Sequence, residues 1–227
     1  MAIGLTPIGF GWAALSAVGA ALCAVGFYMP YWLVGKVTSA DPDNHVTNVD
    51  QISFGCYRRC NYSFQYDESR IKVVSQLCGR YTSFEDIPSQ WWLVSTATGA
   101  SGVALALLVA FVALPACCLS DVVSRSAALV LGLAQVLAAL LVGACCVFYP
   151  MGWNTTEVRA VCGRHAALYL IGDCWIGWAF YCQFLGSALL LVCGILSTKA
   201  GRPVEWSVRQ KSVHNRYSST ELNPIAY

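Results

Sequence analysis

The sequence predicts a membrane α-helical protein: a bundle of four transmembrane helices carrying a small extracellular β-sheet, with the N and C termini cytoplasmic. Three observations predict it. The 227-residue chain is 57% hydrophobic and only 11% charged, with a mean hydropathy of +0.55, well outside the soluble average. No Asp, Glu, Lys or Arg occurs in residues 1–35, 87–120, 126–156 or 174–198, and each gap exceeds the ~20 apolar residues that cross a bilayer core. Between the first two gaps, "ISFGCYRRCNYSFQY" at 52–66 puts Ile52, Phe54, Cys56, Cys60, Tyr62, Phe64 and Tyr66 on even positions. That is the period of a strand with one buried and one wet face.

The elements follow in order. Helix 1 is expected over about 8–29, closed by Pro30, which cannot continue a helix. A cleaved leader is disfavoured there, because no basic region precedes the apolar run. Helix 2 is expected over about 91–118, helix 3 over about 127–149 with Pro150 closing it, and helix 4 over about 175–196. Loops of about 33–90 and 150–174 face one side. Residues 1–198 then form a single transmembrane domain, and 199–227 a tail. Trp32, Trp91, Trp92, Trp153 and Trp175 fall at the boundaries on the loop side, as an aromatic belt would.

Charge sets the orientation. From Lys199 onward the chain carries five Lys/Arg against two Glu, whereas 33–90 carries six basic and seven acidic residues. The basic tail belongs in the cytoplasm. Cysteine usage agrees: of twelve, Cys56, Cys60, Cys78, Cys162 and Cys174 lie in the two loops, which suits an oxidising exoplasmic compartment. The seven others, in or at the ends of the helices, read as small apolar packing residues.

In the second loop, Cys162 and Cys174 are the available pair. Their bridge would clip a short helix, started by Asn154-Thr-Thr-Glu157 and ended at Cys162-Gly163, to the chain entering helix 4. A metal site from Cys162, His165 and Cys174 lacks the fourth ligand that structural zinc requires. In the first loop three cysteines leave one over. Cys56 and Cys60, on one strand face, would be about 13 Å apart, beyond bridging unless the chain turns at Tyr57-Arg58-Arg59. Cys60 with Cys78 is therefore the expected pair, and Cys56 a spare thiol. Arg58 interrupts the apolar face and marks a bulge, the turn or a contact point. Asn61-Tyr62-Ser63 is a glycosylation sequon on the expected wet face, whereas Asn154-Thr155-Thr156 reads as a helix cap.

Catalytic equipment is missing from the pattern. Apart from cysteine and tyrosine the expected helices hold no ionisable side chain; ionisable groups are the usual mark of ion paths and membrane enzymes. Gln135 and Gln183 are their only side-chain amides, each expected in an interhelical hydrogen bond. There is no phosphate loop and no Ser/His/Asp constellation, so neither cofactor nor metal is expected, and nothing points to nucleic acid. Small residues do recur at packing spacing: Ala13/Ala17, Ser16/Ala20 and Gly19, then Ala134/Ala138 and Ala139/Gly143. They serve packing within the bundle or a groove for another protein's helix. Cys117-Cys118, at the cytoplasmic end of helix 2, are candidate palmitoylation sites. Ile225-Ala226-Tyr227 has the form that PDZ scaffolds capture.

Several segments resemble a known family: "MPYWL" at 29–33, "SFGCYRRCNY" at 53–62, "CGRYTSFEDIPS" at 78–89, "YPMGW" at 149–153, "EVRAVCG" at 157–163 and "GDCWIGWAFYC" at 172–182. They are similar to the lipoma HMGIC fusion partner-like (LHFPL) tetraspan family, within the claudin/PMP22-like four-transmembrane superfamily. Cys60 and Cys78 match cysteines of the family pattern, and Cys56 is an addition of this chain. Phe54-Gly55-Cys56 stands where claudins carry Gly-Leu-Trp before a close Cys pair. The resemblance implies a claudin-like fold in the plasma membrane and a non-enzymatic auxiliary or assembly subunit. Its partners would be ion channel or receptor subunits; mechanotransduction channels and inhibitory pentameric receptors are clients of the family. Claudin-like cell–cell adhesion is the alternative.

Overall fold

The computed structural model describes residues 7–40, 47–67, 70–83, 85–116 and 125–200. Among the described residues four helices are long and apolar enough to cross a membrane: α1 (Pro7–Tyr28), α2 (Gln90–Ala116), α3 (Arg125–Phe148) and α5 (Trp178–Ala200). Between α1 and α2 lie β1 (Leu33–Ala40), β2 (Thr47–Phe54), β3 (Arg58–Asp67) and β4 (Arg70–Arg80). A 3₁₀ turn, Tyr149–Asn154, prolongs α3 and leads to the short α4 (Thr156–Cys162) and to β5 (Trp175–Ile176). The sheet is antiparallel throughout, in the order β4-β3-β2-β1-β5.

The exit from α1 shows how the sequence dictates the junction. Pro30 has no N–H, so the Gly26 carbonyl one turn earlier loses its helical partner. The Trp32 indole N–H takes that carbonyl at 2.7 Å. The backbone N–H of Trp32 then donates to Phe54 O at 3.0 Å and starts the sheet.

Three expectations are corrected. The run 52–66 is not one strand but two, joined by a turn at Gly55-Cys56-Tyr57, with Gly55 N–H donating to Arg58 O at 2.8 Å. The register sets Phe54 opposite Arg59, Ser53 opposite Cys60 and Ile52 opposite Asn61. Cross-strand partners share a face, so the even positions change faces at the turn, and the apparent single apolar face is two half-faces. Helix 4 starts at Trp178 rather than near 175, because Trp175 and Ile176 pair with Val34 and Leu33 as the sheet's last strand. The belt is also smaller than expected. Trp32, Trp92 and Trp153 are buried, and only Trp91 and Trp175 of the five stay exposed, joined by Trp178.

The buried tryptophans form a core between sheet and bundle with Leu33, Phe54, Tyr149, Val158 and Cys162. Trp92 stacks on Tyr149 (5.2 Å between centroids, 5° between planes), and Trp32 meets Tyr149 and Phe180 edge-on. Gly152 is required here, since a Cβ would enter the Trp92 ring. Farther from the sheet the helices pack through Ala20, Cys23, Ala106, Ala110, Ala138, Ala139 and Val142, and then through Trp12, Ala13, Ala113 and Cys193.

Candidate functional site

The groups that can meet a partner lie on the sheet and its margins, where polar side chains and an open strand edge coincide. At one margin β5 is short and leads directly into α5. At the other, β4 pairs only with β3 among the described residues, leaving the outer edge of Arg70–Arg80 open. Such an edge offers a row of backbone donors and acceptors. Leu77 on it is 71% exposed.

The Cys60–Cys78 disulfide crosses directly between paired positions of β3 and β4, with the Cα atoms 4.1 Å apart. It ties the open edge strand to the rest of the sheet. The Cys162–Cys174 disulfide joins the end of α4 to the residue before β5, Cα to Cα 4.9 Å. Gly35 of β1 lies beneath it, and any Cβ there would strike Cys174 Sγ and Val161. Thus β1 can pass under the clip only as glycine.

Helix α4 is held by its own sequence. Thr155 is the N-cap, its hydroxyl accepting from Val158 N–H at 3.4 Å. Asn154, the expected cap, instead accepts from Arg159 through its side-chain oxygen. Gly163 ends the helix in the left-handed region at φ 82°. On its outer face Glu157 accepts from Arg59 of β3 at 3.5 Å and from the Tyr81 hydroxyl at 3.4 Å. Burial, then the Glu157 charge, pushes the Tyr81 phenol well up. Across the sheet the Tyr31 and Tyr62 hydroxyls are 2.6 Å apart, and this bond raises Tyr31 to about 12. These links brace the sheet against α4 and the start of α5. The sequence reading missed them because the partners are 31 to 98 residues apart.

Asn61 lies within β3 between buried Ile52 and exposed Leu77 and is half-buried, with its Oδ1 buried and unpartnered, rather than standing on a fully wet face. Cys56 is a free, buried thiol in the β2–β3 turn, 3.8 Å from the Cys145 sulfur and 3.9 Å from the Ser95 hydroxyl. Burial raises it well above the usual thiol range, which makes it a packing residue rather than a reactive one. Arg58 opens β3 and sets its guanidinium over the Tyr28 ring, 4.5 Å from the centroid. Cys117, Cys118 and Ile225-Ala226-Tyr227 lie outside the described residues.

Of the small residues singled out in the spans, Ala13, Ser16, Gly19, Ala20, Ala138 and Ala139 are buried inside the bundle, whereas Ala17, Ala134 and Gly143 are half-buried. The outward faces carry large residues such as Phe111 (75% exposed), Leu133 and Ile195 (71%), with exposed small residues on α2 at Ala97, Ala100 and Ser101. Gln135 joins α3 to α1, accepting from Trp12 Nε1 at 3.0 Å and donating to Ser16 Oγ at 2.6 Å. Gln183 is fully buried with neither amide atom bonded among the described residues.

The sequence model of the family described as lipoma HMGIC fusion partner-like protein matches residues 8–200. Human LHFPL tetraspan subfamily member 2 protein is 31% identical over 198 residues, covering 83% of this chain and 85% of that protein. The zebrafish member 2a protein is 30% identical over 196 residues, covering 83% and 84%. Human member 4 protein is 27% identical over 206 residues, covering 86% and 72%. The chain belongs to the lipoma HMGIC fusion partner-like family of tetraspan membrane proteins.

Proposed function

We propose that this multi-pass protein is a non-enzymatic auxiliary subunit of the plasma membrane, assembling with ion channel or receptor subunits, with its sheet outside the cell and its termini inside. The observation that carries the reading is the junction. Sheet and spans share one aromatic core around Trp32, Trp92 and Tyr149, so a partner held by the β4 edge and by the helices meets both in one fixed relation. An assembly factor needs that coupling between ectodomain and membrane contacts; an enzyme needs polar groups in the spans, and between the ends of the spans the sequence supplies none that ionise apart from cysteine and tyrosine. Two disulfides on the sheet side favour an oxidising exterior for it. The Ile225-Ala226-Tyr227 terminus fits a PDZ scaffold, and Cys117-Cys118 fit palmitoylation at the inner leaflet.

The test is mass spectrometry of proteins that co-purify with the tagged chain in mild detergent from native tissue. Stoichiometric channel or receptor subunits are expected, and their recovery should fall for Leu77→Asp, a change at an exposed position that leaves the fold intact. Recovery with only itself and scaffold proteins would point to claudin-like adhesion and sink the auxiliary reading.

A further inference from the structure

Below the sheet, between α1 and α2, a cavity of about 630 Å³ opens to the side. That volume is in the range of small-molecule sites. Its composition is graded. At the sheet end its wall includes Tyr57, Arg80, Thr82 and Ser83; toward the bundle it is made by Phe27, Ala97 and Ala100.

Depth separates the candidate occupants. On α2 the lining runs from Thr96 to Ser101, about 8 Å along the helix at 1.5 Å per residue, and on α1 it is Phe27, one residue before that helix ends. The groove is therefore confined to the sheet-side boundary of a ~30 Å hydrocarbon core. A partner's transmembrane helix would need a seam along both leaflets, whereas a lipid headgroup with the first part of one acyl chain needs only this length.

Charge at the mouth selects the headgroup. Arg80 is exposed and sits in register opposite Arg58, which stacks over Tyr28, the last residue of α1. Both guanidiniums are thus at the level where the spans end, and neither has a carboxylate within 4 Å among the described residues. Nearby Asp86 is engaged by the Thr82 hydroxyl and by Ser83 N–H, and these bonds hold its carboxyl below the usual range. Guanidinium beside an apolar wall is the chemistry of a phosphate with a hydrocarbon tail.

We propose that this groove is a phospholipid site of the sheet-side leaflet, the lipid phosphate on Arg80 with Arg58 beside it and one acyl chain against Phe27, Ala97 and Ala100. The test uses the full-length chain in phosphatidylcholine nanodiscs containing a phosphatidylcholine with an acyl-chain diazirine, followed by peptide mapping. Label is expected in the Thr96–Ser101 stretch well above the level on the outward Leu129–Leu133 face of α3. Ala100→Trp, at an exposed position, should abolish the groove label and leave the α3 label unchanged. Arg80→Gln, also exposed, should lower groove label about tenfold, the change expected for one lost charge-assisted hydrogen bond. Groove label equal to that of the α3 face, label unaffected by both variants, or a diazirine sterol labelling the groove irrespective of Arg80, would overturn the assignment.

Discussion

At the sheet end of the bundle, Trp32, Trp92, Tyr149 and Phe54 fill the space between helices and strands, and two of the three buried indoles donate to backbone carbonyls: Trp32 to Gly26 and Trp92 to Tyr149. At the other end the same helices meet through Ala106, Ala110, Ala138 and Ala139, with Gln135 as the polar tie. The difference follows from the solvent. Near the boundary, water still drives large apolar surfaces together. Inside the bilayer that driving force is gone, and close backbone approach with a few hydrogen bonds replaces it. One bundle is thus held by clustered aromatic bulk at one end, and at the other by small residues with the single buried indole of Trp12 among them.

Removing bulk should break the first end most. Trp92→Ala loses the Tyr149 stack and the bond to Tyr149 O, and empties the space that Gly152 was kept small to accommodate. A loss of about 3–5 kcal/mol is expected, read as a large fall in melting temperature by detergent thermostability with size-exclusion. Survival of Trp92→Ala near wild-type stability would mean that sheet and bundle are not held by this core. Adding bulk should break the other end. A Cβ on Gly102 would already lie 2.8 Å from Val142 and 3.0 Å from Ala138 O, so Gly102→Leu should cost about 1–3 kcal/mol through separation of α2 from α3. A Leu at 102 with no loss would show that these helices have slack.

The two ends also differ in how far the sequence revealed them. The spans were legible because a charge-free run of bilayer length has few other readings, and Pro30 and Pro150 mark where α1 and α3 stop being regular. The junction was not. Trp175 and Ile176 look like more of helix 4, because two residues carry no period by which a strand can be recognised. Cys56 continued the even-numbered apolar pattern across a turn, so two strands read as one. Trp32, Trp92 and Trp153 looked like a belt, since composition places a tryptophan at the boundary without saying whether it faces lipid or sheet. In the candidate site the disulfide partners came from cysteine spacing, but Arg59–Glu157 and Tyr31–Tyr62 needed the fold.

The polar ties of the membrane end sharpen the comparison further. Gln135→Leu strands Trp12 Nε1–H, which has its bond through Gln135 Oε1, and removes the donor to Ser16. A loss of about 0.6–1.7 kcal/mol is expected, the range for hydrogen bonds between helices in lipid. The bond count, rather than the amide itself, is the cause, so Gln135→Glu in its neutral form should lose less than the leucine variant.

Gln183 supplies the smallest expected effect and the most discriminating one. It is as buried as Gln135 and lies on the neighbouring α5, yet neither its Oε1 nor its Nε2 has a partner among the described residues. Its amide packs against Gly26 of α1, where a Cβ would come within 3.0 Å of Oε1, but the Gly26 carbonyl is taken by Trp32. A buried amide without partners opposes folding, whereas leucine of similar volume keeps the packing and removes the unbonded group. Gln183→Leu should therefore leave the melting temperature unchanged or raise it, in contrast to Gln135→Leu. A Gln183→Leu loss as large as that of Gln135→Leu in the otherwise native chain would mean that Gln183 is bonded to a group brought by water, lipid or a partner helix. The membrane end would then be tied at two points rather than one.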